Sequence, residues 1–104
     1  MLTHCVFLDL PEGYDVASLE RSMTLLAGLV GQVEGLIDFG HGPNRDFESK
    51  SARYTYGFVC RFRDRDAHLA YERHPDHQTG GSLLVEMCRG GHEGILVMDI
   101  ESVG

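Results

Sequence analysis

Seven consecutive residues, Tyr71-Glu72-Arg73-His74-Pro75-Asp76-His77, bring one phenol and two imidazoles to either side of a proline. Imidazole is the side chain best matched to proton transfer near neutral pH, so the stretch has the residue types of an acid/base site. The same residues also have a structural use. A tyrosine can bury its ring with its hydroxyl satisfied, and a histidine at a proline corner can cap or bond backbone groups. His74 suits a cap best, because Pro75 pushes the preceding residue out of the α region. Tyr71 and His77 remain as the pair on which chemistry would depend. A metal reading of His74, Asp76 and His77 fails on geometry, since zinc wants three or four ligands and the corner breaks a common helical face. No metal or other cofactor is expected.

Proline is welcome as the first residue of a helix, so one helix ends at this corner and another begins there. The first runs from a cap at Asp64 through Ala67, Leu69, Ala70 and Tyr71. The second carries Leu83, Leu84, Met87 and Cys88. Gly80 and Gly81 weaken it by about 1 kcal/mol each in an exposed helix interior, and could instead mark a hinge or a close contact. Upstream, Thr3 to Leu10 is a strand pattern that ends at Pro11-Glu12-Gly13. Asp15 then caps a helix with the stripe Val16, Leu19, Met23, Leu26, Ala27 and Val30. A short strand is expected within Val33 to Gly42, and Arg45 to Arg53 reads as an exposed loop. Tyr54 to Phe62 alternates strongly, and Ile95 to Ile100 is a last apolar strand.

The order β-α-β-β-α-β is the split βαβ, ferredoxin-like pattern: a single α+β domain over residues 1–104, with both helices on one face of a four-stranded antiparallel sheet. Period-two alternation turns His4, Val6 and Leu8, with Tyr56, Phe58 and Cys60, toward the helices. Tyr71 and His77 would close the top of that cavity, with His74 at the corner. Cys5, Phe7, Thr55, Gly57 and Val59 point the other way and leave an uncovered face with apolar content. A second copy packed on that face would make a two-fold homodimer.

Sixteen acidic residues against nine Lys and Arg give a formal charge of -7, the wrong balance for nucleic acid. Arg61, Arg63 and Arg65 alternate with Phe62, Asp64 and Asp66 and read as a solvated face. No apolar run approaches the ~20 residues of a membrane span. The stretch Met1 to Asp9 lacks a basic start and meets an acid too soon for a signal peptide, so the expected location is cytoplasmic. Cys5, Cys60 and Cys88 are odd in number, widely spaced and without CxxC pairing, and are expected to be small apolar residues rather than ligands or nucleophiles.

Several segments together resemble the stress-responsive A/B barrel, or dimeric α+β barrel, family. These are His4-Cys5-Val6-Phe7-Leu8, Tyr54-Thr55-Tyr56-Gly57-Phe58, Phe62 with its acidic turn, Tyr71 followed by His74-Pro75-Asp76-His77, and Val97-Met98-Asp99. The resemblance implies a small homodimer with a pocket for a small organic ligand. Many members of the family have no assigned reaction, and one characterised type, olivetolic acid cyclase, closes a linear polyketide by aldol condensation. By that likeness Tyr71 and His77 match a catalytic tyrosine and histidine, and His4 matches a pocket histidine. Tyr56 and Leu26 depart from the cyclase pattern, standing where that type has a pocket histidine and a pocket tyrosine. In such a site a neutral His77 would accept a proton from carbon beside a carbonyl while Tyr71 donated to the developing enolate oxygen.

Overall fold

The computed structural model describes residues 1–103. Its strands are β1 (Leu2–Leu8), β2 (Leu36–Pro43), β3 (Tyr56–Phe62) and β4 (Ile95–Glu101), and its helices are α1 (Val16–Ala27), α2 (Arg65–Arg73) and α3 (Pro75–Met87). The strands form one antiparallel sheet in the order β2-β3-β1-β4, which is the ferredoxin-like arrangement. Among the described residues, no helix is long and apolar enough to cross a membrane.

The helix starts follow the caps read from the sequence. Asp15 accepts from the backbone N–H groups of Ala17 and Ser18, and Asp64 accepts from that of Ala67. His74 ends α2 and begins α3, its ring nitrogen accepting from the N–H of Asp76 at 3.1 Å with Pro75 in the first turn. Gly80 and Gly81 lie inside α3 rather than at a hinge. The reason is a close approach between helices: Ser22 of α1 donates to the Gly80 carbonyl at 2.9 Å, and a Cβ on Gly80 would meet Leu26 at 3.2 Å. Gly81 faces open space.

The second strand begins at Leu36, later than the apolar run from Val33 suggests. Gly35 takes a left-handed backbone angle (φ +87°) that turns the chain into the strand, and a side chain there would collide with Ala67. A register slip between Leu36 and Asp38 leaves Ile37 unpaired and exposed. Between sheet and helices sits one core built on Val6, Leu8, Leu19, Met23, Leu26, Phe58, Phe62, Tyr71 and Leu84.

The loop joining β2 to β3 is ordered by its own polar side chains. Asn44 donates through Nδ2 to Ser51 Oγ and the Tyr54 carbonyl at 2.9 and 2.7 Å. Asp46 Oδ1 accepts from Lys50 N, Ser51 N and Ser51 Oγ at 2.9, 2.9 and 2.8 Å.

Candidate functional site

Strand register decides which side chains meet on the helix side of the sheet, because residues directly opposite in neighbouring strands share a face. His4 lies opposite Asp99 on β4 and Cys60 on β3, while Val6 lies opposite Val97 and Phe58. The first pairing produces the shortest polar contact of the site, His4 Nδ1 to Asp99 Oδ1 at 2.5 Å. β4 is an edge strand, and its residues Val97 and Asp99 remain exposed. A cleft of about 770 Å³ opens there, between α3 and strands β1 and β4. Its apolar wall comes from Val6, Phe58, Leu84, Ile95 and Val97, and its polar groups include His4, Glu72, His77 and Asp99, with Gln78, Ser82, Glu86 and His92 also in the lining.

The stretch around Pro75 is divided by the fold. His77 lines the cleft and is half-buried. Burial pushes its imidazole below the ordinary range, which keeps it neutral near pH 7 and able to accept a proton. Tyr71 stands behind it with ring centroids 4.5 Å apart in an edge-to-face arrangement. Its hydroxyl is fully buried, outside the cleft lining, and has no hydrogen-bond partner among the described residues. Burial first, and then the nearby Cys60 thiol, raise the Tyr71 phenol well above its ordinary value, so it keeps its proton and can donate it. The Cys60 thiol is the near neighbour that acts on the Tyr71 hydroxyl, short of a full hydrogen bond among the described residues. That thiol is itself pushed up to about 12 by burial, which removes it as a nucleophile.

Of the other expected pocket residues, His4, Val6 and Phe58 line the cleft. Leu8 and Leu26 are sealed in the core at 0% and 1% exposure, and His74 is occupied as the cap of α3. Tyr56 faces a separate groove beside α1, where its hydroxyl meets His41 Nδ1 at 2.6 Å. Cys5, Cys60 and Cys88 are all free thiols, the last two buried.

Two further residues belong to the site. Asp99 is the partner of His4, and its place follows once β1 and β4 are paired in register. His68, only 2% exposed, packs its ring 4.8 Å from that of His4. Its signal in the sequence is position: it stands three residues before Tyr71, on the same side of α2. Arg65 approaches His68 Nδ1 at 2.6 Å and, as a pure donor, makes that nitrogen the acceptor and leaves the proton on Nε2. Nε2 lies 3.1 Å from the Glu72 carboxylate without the alignment of a hydrogen bond. Burial, then the His4 ring, lower the His68 imidazole below its ordinary range. Potential ligand atoms of His4, His68 and Asp99 lie within 4.8 Å of one another. The Arg65 cation and the proton it fixes on Nε2 both oppose a divalent ion at that group.

Comparisons with known proteins agree with this architecture. The pattern of the Stress Responsive A/B Barrel Domain matches residues 2–102. A search of curated proteins gives no match. Among solved structures, a dimeric ferredoxin-like protein of unknown function from Jannaschia sp. CCS1 is similar at 48% identity, covering 97% of this chain and 98% of that one, with a TM-score of 0.93. A Dabb family protein with a ferredoxin-like fold from Mesorhizobium loti shares 22% identity over 99% of this chain and 97% of that one, with a TM-score of 0.72. Hydroxynitrile lyase from Passiflora edulis has the same fold at 13% identity and a TM-score of 0.75, covering 95% of this chain and 90% of that one.

Proposed function

The chain belongs to the stress responsive A/B barrel domain family, and on that footing we propose that it is a small homodimer whose cleft beside β4 binds a small organic ligand carrying a carbonyl group. The observation that carries this reading is the cleft itself, concave and mostly apolar, with His4, His77 and Asp99 converging on it. Leu26 and Tyr56 stand outside its lining, which favours a compact ligand over a long polyketide chain. Pairing with a second copy is supported by the dimeric relative at 48% identity. Use of the outer sheet face is supported by the cross-strand rows Met98–Cys5–Val59–Gly40 and Leu96–Phe7–Gly57–Gly42, which offer apolar and small residues. Three free thiols suit a reducing cytoplasm.

A second reading, cofactor-free acid/base catalysis, is favoured by two observations. His77 is held neutral beside the cleft, and the Tyr71 hydroxyl is buried without a partner. An unsatisfied buried hydroxyl is costly, and sites that perform chemistry are where such costs are tolerated. His77 would take the proton from carbon next to the ligand carbonyl, and Tyr71 would donate to the enolate oxygen that forms. His4, tied through Nδ1 to Asp99, lines the same cleft as His77. The step requires the ligand oxygen to reach a hydroxyl sealed from the cleft.

A panel of β-dicarbonyl compounds and aryl ketones in deuterated buffer, followed by NMR with α-proton exchange counted only above the protein-free rate, separates the two. Ligand line broadening without exchange of the α-proton supports a binding protein. Exchange that disappears in His77→Ala with the dimer intact supports the catalyst. No binding at millimolar ligand sinks both.

A further inference from the structure

The β2–β3 loop presents Phe47 with 93% of its surface exposed, a large aromatic side chain with almost no packing on the described residues. The loop beneath it is tied by hydrogen bonds of its own side chains. Asp46 and Ser49, neither a glycine, hold left-handed backbone angles (φ +47° and +56°), and the Asn44 and Asp46 hydrogen bonds keep them there. Backbone strain held in place by a local network is a reason to look for what the loop presents.

A depression of about 660 Å³ lies on the outer face of the sheet, with Phe7, Val59, Leu96 and Met98 in its apolar floor. Pro43, Asn44, Lys50 and Ser51 line both this depression and the concavity of the loop that carries Phe47. An aromatic knob and an apolar hole are therefore neighbours on one surface. A patch carrying both is self-complementary under a two-fold axis, because the knob of each copy can enter the hole of the other. Charge is mixed across the same patch, with Arg45, Glu48 and Lys50 in the loop concavity and Lys50 and Arg53 at the hole.

We propose that Phe47 is the anchor by which each copy of this chain docks into the outer-face depression of a second copy. The inference rests on the reading of the protein as an outer-face homodimer and adds the side chain that fixes it. Rigid aromatic side chains seated in apolar pockets dominate the energetics of such interfaces.

Sedimentation across a dilution series tests it with Phe47→Ala, Phe47→Leu, Met98→Ala and, as a control on an exposed apolar residue of α1, Val16→Ala. A two-fold dimer buries two copies of the phenylalanine side chain, so Phe47→Ala corresponds to a loss of about a hundredfold to ten-thousandfold in dimer affinity. Phe47→Leu is expected to restore part of the loss, Met98→Ala to add little to Phe47→Ala, and Val16→Ala to match the parent. If any variant loses its circular dichroism signal, NOEs between copies from the Phe47 ring to the Met98 methyl, in a mixed-labelled parent sample, carry the test instead. Parental affinity in Phe47→Ala, or no such NOEs, overturns the docking and leaves the dimer standing. A parent that is monomeric at micromolar concentration overturns both.

Discussion

Replacing Tyr71 with phenylalanine removes one oxygen and nothing else. The ring packs edge-to-face on Phe62 and His77, at centroid distances of 5.1 and 4.5 Å, and both contacts survive the change. What goes is a hydroxyl buried without a hydrogen-bond partner. Such a group costs about 1–3 kcal/mol in mutational comparisons, and the small void left by the oxygen returns part of that. Tyr71→Phe is therefore expected to stabilise the fold by about 1 kcal/mol. In urea, at fixed protomer concentration, that raises the unfolding midpoint by about 0.5 M for a domain of this size. The same variant should bind the carbonyl ligand more weakly, or lose α-proton exchange, if the hydroxyl serves the cleft. A loss of 1 kcal/mol or more would refute the reasoning, because it would mean the hydroxyl is bonded in solution and belongs to the core.

Two other perturbations follow from named contacts. Gly81→Ala should stabilise by about 0.5–1 kcal/mol through helix propensity, since its Cβ meets open space, while Gly80→Ala should lose that gain against Leu26 and Ser22, a difference that thermal unfolding resolves. His68 and His77 both have folded values below the ordinary imidazole value of about 6.5, so the unfolded chain binds more protons on acidification. Stability should be full above that value and fall as pH drops through the folded values, and the slope should flatten in His68→Phe. A pH-independent unfolding midpoint between pH 7 and 5 would contradict this.

The strands and helices were readable because each rests on local chemistry. The alternation from Tyr56 to Phe62 needs only a two-sided sheet, and Asp15, Asp64 and His74 announce helix starts through side-chain acceptors. Gly80 was ambiguous since its reason lies on α1, in Ser22 and Leu26. The site was legible where one strand's alternation sufficed, as for His4, Val6 and Phe58. It was hidden where two distant segments combine. Asp99 acquires its partner only through the β1–β4 register, and His68 is buried only because α2 lays that face over His4 and Phe62. The proline corner also looked like one cluster, yet its residues serve separate tasks: His74 caps, Tyr71 is sealed and His77 meets the cleft.

The most direct test of the central claim is a crystal structure of the dimer soaked or grown with whichever β-dicarbonyl or aryl ketone broadens in the NMR screen. The account predicts the compound in the cleft beside β4, against Val6, Phe58 and Val97, with its carbonyl within hydrogen-bond reach of His77. A ligand lodged in the groove beside Tyr56 and His41, or a cleft filled by the protein's own side chains, would contradict it.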